Sequence, residues 1–263
     1  MHYVKGHGTQ NDFVVLPDVD GELSLTDAQV QLLCDRRAGL GADGILRVVR
    51  TSHVAEAADQ TEAEWFMDYR NADGSAAQMC GNGVRVYARY LVDSGLAEPG
   101  HLRLATRGGI KEVDVARTGD VTVDMGIATV GEPIDIDGEP AIAVDLGNPH
   151  AVVQVDSVDA LGKLHPSRTD LNVEYVEQLG PARLRMRVHE RGVGETRSCG
   201  TGACAAVVAT MLVTGEDRGT PYAVGVPGGW LTVTWRADNH LELAGPAVLV
   251  ASGQIRPDFW ESP

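Results

Sequence analysis

The sequence predicts an α/β fold, α+β in arrangement. It has two similar, pseudo-symmetric lobes, each a mainly antiparallel sheet wrapped around a central helix, with the active-site cleft between them. Three observations predict this: one motif recurs with the same elements behind it, short alternating strands are punctuated by glycine turns, and 263 residues suffice for two small cores.

The repeat starts at Cys80-Gly81-Asn82-Gly83. A helical run from Val84 to Asp93 follows and stops at Gly95, as a helix ending on a left-handed glycine does. Then come Pro99, a strand-like Leu102-Arg103-Leu104, the pair Gly108-Gly109, an alternating strand Ile110 to Val115, a turn at Gly119-Asp120, a strand Val121 to Met125, and Gly126. From Cys199-Gly200-Thr201-Gly202 the same order returns. A helix from Ala203 to Val213 stops at Gly215; Pro221, a strand Tyr222 to Val226, the pair Gly228-Gly229, a strand Leu231 to Trp235, a turn at Asp238-Asn239, a strand Leu241 to Leu243 and Gly245 follow. Cys80 to Gly126 and Cys199 to Gly245 span the same number of residues.

Upstream the likeness is fainter. Gly8, Asn11 and a strand Phe13 to Leu16 in the first half resemble Gly147, Asn148 and a strand Ala151 to Val155 in the second. The first half adds a helix near Thr26 to Asp35, where Thr26 and Gln29 fit a capping box, and residues 53–61 read as a polar loop or short helix. The lobes are expected over residues 1–126 and 127–245, with 246–263 returning to the first.

Net charge is −15, from 22 Lys+Arg against 37 Asp+Glu. An acidic surface repels phosphate backbones and anionic lipid, so nucleic acid and membrane are poor partners, whereas a small anionic substrate in a locally positive pocket is not excluded. The chain has no apolar run of spanning length and its first residues lack the apolar core of a signal peptide, so the expected compartment is cytoplasmic. The four cysteines, Cys34, Cys80, Cys199 and Cys204, are then reduced thiols. They form no Cys-x-x-Cys pair and have no histidine at zinc spacing, so no metal site is expected. Cys34 and Cys204 sit among apolar helical neighbours and read as packing.

Cys80 and Cys199 differ in standing where the chain turns into a helix. The first amides of a helix have no internal partner, so a helix start binds a carboxylate and favours a thiolate. Each half therefore offers a thiol beside an anion site, with glycine permitting close approach. Two opposed thiols suit inversion at a carbon, where one group removes a proton and the other returns one from the opposite face. A single cysteine behind a Gly-rich loop reads as buried packing; two in repeated motifs do not.

The motifs resemble those of the diaminopimelate epimerase family over essentially the whole chain. They are His7-Gly8 with Asn11-Asp12-Phe13, Asn71-Ala72-Asp73-Gly74-Ser75 through Cys80-Gly81-Asn82-Gly83-Val84-Arg85, Gly147-Asn148-Pro149-His150, and Glu190-Arg191-Gly192 with Gly194-Glu195-Thr196 and Cys199-Gly200-Thr201-Gly202. The resemblance implies interconversion of L,L- and meso-2,6-diaminopimelate for lysine and cell-wall precursor synthesis, without pyridoxal phosphate or metal, by a homodimer. It implies Cys80 and Cys199 as acid/base thiols, with His150 and Glu190 polarising them. Gly81-Asn82 and Gly200-Thr201 would hold the carboxylate at the reacting carbon. Asn11, Asn71, Asn148, Asn172, Glu190 and Arg191 would bind the rest of the substrate. Arg191 can grip a carboxylate bidentately, and asparagines can read ammonium and carboxylate alike. This chain departs from the family in having Gly44 where many members have Gln, and Gln10 where they have Gly.

Plainer roles stand beside these. Asn11 and Asn148 suit turns, His150 can be a satisfied strand histidine, Glu190 can pair with Arg191 or Arg197 on the surface, and Asn172 carries little local signal. Arg85 and Arg89 read as solvated or structural. The rival activities are proline- or histidine-type two-thiol racemases, and a non-catalytic amino-acid-binding module is the rival of another class. Proline-type chains carry His where Asn82 stands, and faster alkylation of Cys80 or Cys199 than of Cys34 and Cys204 separates an enzyme from a binding module.

Overall fold

A computed structural model describes residues 1–260. The chain separates into two compact units, Met1–Val123 with Pro246–Pro263, and Asp124–Gly245.

The first unit opens with the hairpin β1 (His2–Gly8) and β2 (Asn11–Pro17). After α1 (Asp27–Cys34) come β3 (Gly44–Arg50), two short 3₁₀ turns at Thr51–His53 and Ala55–Ala57, and β4 (Trp65–Asn71). Then follow α2 (Gly81–Asp93), β5 (Gly100–Ala105), β6 (Lys111–Val115) and β7 (Val121–Ile127), the last crossing into the second unit. Strand pairing runs β1–β2 antiparallel, β2–β3 parallel, β3–β4 antiparallel, β4–β5 parallel, and β5–β6 and β6–β7 antiparallel.

The second unit begins with the short β8 (Thr129–Val130) and β9 (Ile134–Ile136), then β10 (Glu139–Asp145) and β11 (Pro149–Gln154). Next come β12 (Asn172–Gly180), β13 (Arg183–Glu190), β14 (Gly194–Thr196) and α3 (Gly200–Thr214), then β15 (Pro221–Val226), β16 (Gly229–Trp235) and β17 (His240–Gly245). Its pairing repeats the scheme: β10–β11 antiparallel, β11–β12 parallel, β12–β13 antiparallel, β13–β15 parallel, β15–β16 and β16–β17 antiparallel. The chain returns to the first unit with β18 (Val248–Gln254), antiparallel to β1, and a single turn α4 (Pro257–Trp260).

Each sheet curls about its own helix. The α2 helix touches β1, β2, β3, β4, β6 and β18, and α3 touches β10, β11, β12, β13, β15, β16 and β17. From Gly200 to Met211 only Thr201 of α3 escapes full burial, as its all-round apolar sequence dictates. The α2 helix is buried from Gly81 to Val92 even though its sequence is amphipathic. Arg85 and Arg89 are therefore not solvated. Arg89 donates from Nη1 to the carbonyls of Ala116 and Arg117 at 2.7 and 2.8 Å and from Nη2 to that of Gly119 at 2.9 Å, closing the β6–β7 turn against the helix.

Local rules explain the rest of the frame. Thr26 caps α1 through a complete capping box with Gln29. Gly215 ends α3 at φ 70°. Phe13 to Leu16 of β2 are all buried because Phe13 faces Gly83 of α2, while Val14 and Leu16 pack with Val30 and Leu33 of α1. In β11, Ala151 and Val153 join Ile136 and Val173 in a separate cluster, leaving His150 and Gln154 on the opposite face.

The first hairpin is pinned by charge: Lys5 bonds Asp12 at 2.6 Å, and Arg36 bonds Asp12 and Asp43 at 2.7 Å each. Burial alone would raise the Asp12 carboxyl, but the hydrogen bonds and charges of Arg36 and Lys5 outweigh it and hold it at about 2.

Two outcomes are expected. Arg89→Met loses three bonds from a buried cation and destabilises the protein by about 2 kcal/mol in urea unfolding, with the folded secondary structure unchanged by circular dichroism. Because the Asp12 carboxyl is depressed on folding, its contribution is present above the ordinary value of 3.8 and lost as pH falls through about 2. Asp12→Asn is thus destabilised at neutral pH, and unfolding curves of the two proteins converge towards pH ~2.

Candidate active site

Both motif cysteines are the N-cap residues of the two buried helices. Cys80 has extended φ −143°, ψ 118°, and Cys199 has φ −125°, ψ 118°. The ladder of α2 starts with the Val84 amide on the Cys80 carbonyl at 2.8 Å, and that of α3 with the Ala203 amide on the Cys199 carbonyl at 3.0 Å. The amides that precede them, at Gly81-Asn82 and Gly200-Thr201, are presented at the helix starts, where anions bind.

In the first unit a chain of polar contacts fixes the surroundings of Cys80. The half-buried thiol donates to Asn11 Oδ1 at 3.5 Å, and Asn82 Nδ2 donates to the same oxygen at 3.1 Å. Asn11 Nδ2 donates in turn to Asp43 at 2.8 Å, which settles which end of the amide faces the thiol. Asn82 Oδ1 accepts from Arg85 Nη2 at 2.9 Å, and Arg85 is fully buried. The Asn82 side chain is thus occupied in supporting the helix start. Asn71, the last residue of β4, donates to Ser75 Oγ at 3.0 Å and accepts from the Tyr69 hydroxyl at 2.9 Å.

The two departures have structural counterparts. Thr9 and Gln10 form the β1–β2 turn at φ 48° and 64°, a left-handed conformation in which glycine is the easier residue. Gly44 lies opposite Asn71 in the β3–β4 pair, and a Cβ there would meet the Arg70 carbonyl at 2.5 Å and the Tyr69 ring at 2.8 Å. The Tyr69 ring fills the space next to Gly44, and its hydroxyl supplies the polar contact to Asn71.

The second unit gathers Asn148, His150, Asn172, Glu190, Arg191, Cys199, Gly200 and Thr201. Cys199 Sγ accepts from the Gly202 amide at 3.4 Å and lies 3.4 Å from Thr201 Oγ1, to which Asn148 Nδ2 donates at 3.3 Å. The Glu190 carboxylate accepts from the Thr196 hydroxyl. Among the described residues it forms no ion pair with Arg191 or Arg197, and it also hydrogen-bonds the Cys199 side chain. Asn172 Oδ1 accepts from the backbone amide of Arg191 at 2.9 Å, so the two neighbouring candidates are held together while the Arg191 side chain stands exposed.

One residue of this cluster escaped sequence reasoning. Glu174 in β12 is fully buried and bonds His150 Nδ1 at 2.7 Å, both side chains having no exposure. Strand alternation was the available signal: Glu174 follows Asn172 by two residues, and the parallel register sets His150 beside Asn172 and Val152 beside Glu174.

The electrostatics correct the expectation of a lowered thiol at Cys199. Burial, then the charges of Glu190 and Glu174, push it well above the ordinary thiol range, and the Thr201 and Gly202 hydrogen bonds only oppose this. Glu190 is itself raised, first by burial, with Glu174 adding to it. Cys34 is pushed up to about 11 by burial, and Cys204 has no exposure.

Comparison with known proteins agrees with these motifs. The sequence model of the diaminopimelate epimerase family matches residues 3–130 and 142–250. Diaminopimelate epimerase of Streptomyces coelicolor is 54% identical, covering 96% of this chain and 94% of its own; that of Thermobifida fusca is 48% identical, covering 97% and 98%. Among solved structures, a PhzF-family phenazine biosynthesis protein from Bacillus anthracis superposes with TM-score 0.75 at 16% identity, over 97% of this chain and 99% of its own. A hydroxyproline epimerase from Agrobacterium vitis gives 0.70 at 16% identity, over 99% and 94%. These distant structures share the fold, whereas the close sequences and the family match decide the family. The chain belongs to the diaminopimelate epimerase family.

Proposed function

We propose that the protein interconverts L,L- and meso-2,6-diaminopimelate, serving lysine and peptidoglycan precursor synthesis, with Cys80 and Cys199 as its two acid/base groups and no pyridoxal phosphate or metal. The observation that carries this reading is that the only two N-cap cysteines among the described residues each open the buried helix of a repeated unit. The neighbouring Asn, Glu and Arg residues fit a diamino-dicarboxylic acid.

The chemistry follows from the groups. Removing the α-proton places negative charge beside the substrate carboxylate, and helix-start amides at Gly81-Asn82 or Gly200-Thr201 strengthen their hold as that charge grows. Inversion requires a second proton delivered to the other face, so one cysteine acts as base while the other is a thiol. Cys199 rests as the thiol, because burial and two carboxylates retain its proton. It is therefore the donor in the direction that Cys80 opens, and it serves as base in reverse once Glu190 or His150 accepts its proton. Asn11, Asn71, Asn148, Asn172, Glu190 and Arg191 hold the distal end, and rigid binding there fixes which α-carbon reacts. We place the enzyme in the cytoplasm as a homodimer; among the described residues no helix is long and apolar enough to cross a membrane.

Proton NMR in D₂O with L,L-diaminopimelate tests the reaction. The reduced wild type is expected to exchange the α-proton and form the meso isomer, and Cys80→Ala and Cys199→Ala to lose epimerisation by at least ~10³-fold. An inert wild type would sink the substrate assignment and send the search to histidine and proline. Alkylation gives a second outcome. Iodoacetamide is expected to modify Cys80 first, since it alone of the four cysteines is not buried, and peptide mapping should show activity falling in step. Earlier labelling of Cys34 or Cys204 would count against an activated Cys80.

A further inference from the structure

His150 is a candidate acceptor for the Cys199 proton, but its buried partner Glu174 has no role assigned so far. His150 Nδ1 lies 2.7 Å from Glu174 Oε1, with both side chains fully shielded from solvent. The other ends of the pair, His150 Nε2 and Glu174 Oε2, are buried and make no hydrogen bond among the described residues. A buried polar atom without a partner costs free energy, so an orphaned ring nitrogen in a family of proton-transfer enzymes points to an exchangeable partner.

Glu174 also reaches the catalytic helix. A Cβ on Gly202, in the first turn of α3, would lie 2.6 Å from Glu174 Oε1 and 3.3 Å from Cys199 Sγ. The carboxylate and the thiol thus crowd the same small space, which glycine leaves open. The groups facing this space come from four elements: His150 from β11, Glu174 from β12, Glu190 from β13, and Cys199 with Thr201 at the start of α3. No cation among them competes with His150 for the carboxylate.

We infer that Glu174 is a positioning residue that holds His150 in the tautomer protonated on Nδ1, leaving Nε2 as a buried proton acceptor for the Cys199 side of the reaction. An ionised carboxylate only accepts hydrogen bonds, so the ring nitrogen facing it carries the proton. In the neutral ring the other nitrogen then presents its lone pair. A carboxylate fixing a histidine in this way is a general device for making one nitrogen a base. Here it gives the Cys199 proton a second acceptor beside Glu190, whose carboxylate already hydrogen-bonds both Thr196 and Cys199.

The effect on turnover rests on the epimerase reading, but the tautomer does not, so the two are tested separately. In protein labelled with ¹⁵N-histidine, His150 is assigned by comparison with His150→Gln, and long-range ¹H–¹⁵N spectra report which nitrogen is protonated. The expected result is Nδ1–H in wild type. Glu174→Gln, whose amide can donate to Nδ1, is expected to move the ring to the Nε2–H form and lower kcat by about 10²-fold, with KM changed less than about threefold. Glu174→Asp is expected to recover part of the rate. Gly202→Ala keeps the carboxylate and favours the helix, yet it pushes Oε1 off the ring, so it is expected to shift the spectrum and lower kcat in the same direction. A wild-type ring protonated on Nε2, as the other tautomer or as imidazolium, overturns the inference. So does a Glu174→Gln protein with unchanged spectrum and kcat. A wild type inert towards diaminopimelate would overturn the epimerase reading, while the spectrum would still decide the tautomer.

Discussion

Everything in each unit depends on a helix buried from its first turn. A helix start carries unbonded amides and a positive end, and burying it is expensive unless polar groups are buried with it. The two units meet that requirement with different side chains on the same topology. In the first, Arg85, Asn82, Asn11, Asp43 and Arg36 form an unbroken chain from the helix interior to the surface. In the second, Cys199, Thr201 and Gly202 answer one another within the helix start, and the carboxylate of Glu174 lies beneath it. The candidate site residues at both places lie among the polar groups that a buried helix start requires.

The repeat is therefore one of backbone, not of electrostatics. Cys80 faces an asparagine whose far end is tied to Asp43 and thence to Arg36. Cys199 is buried and faces two carboxylates, and its proton is correspondingly hard to remove. A pair of groups that must take opposite roles at the same moment gains from such inequality, since the one that holds its proton firmly is ready to deliver it. Identical surroundings would leave both thiols with one preferred state, and one direction would have to begin from the disfavoured form of a group.

Much of this was legible in the chain. Cysteine, glycine and the apolar runs after them located both helices and the strands that follow, because N-cap, left-handed glycine and strand alternation are local rules. The capping box at Thr26 and Gln29 and the stop at Gly215 have the same origin. The errors arose where neighbours distant in sequence decide. For Arg85 and Arg89 the solvated alternative falls and the structural one stands, since carbonyls at Ala116, Arg117 and Gly119 and the Asn82 side-chain oxygen give them buried partners. The helix start suggested a lowered Cys199 thiol, but that rule is outweighed by burial and by the charges of Glu190 and Glu174, which arrive from other strands. Glu174 itself carries no motif, only its phase with Asn172 along β12. The short strands β8 and β9 went unseen because two or three residues leave little pattern to read.

Gly44 and Gly202 show why single positions in such a site mislead. At Gly44 the absence of a side chain looks like a lost contact, but the Tyr69 ring fills the neighbouring space and its hydroxyl holds Asn71. At Gly202 the absence looks like a motif glycine kept for backbone freedom, yet its φ is not in the left-handed range, so conformation does not demand it. What demands it is the Glu174 carboxylate 2.6 Å from where a methyl would stand. Each glycine is half of a pair whose other member lies on a different strand. In a packed interior the residue that is missing and the residue that fills its place are one constraint, and a substitution at either is a substitution at both.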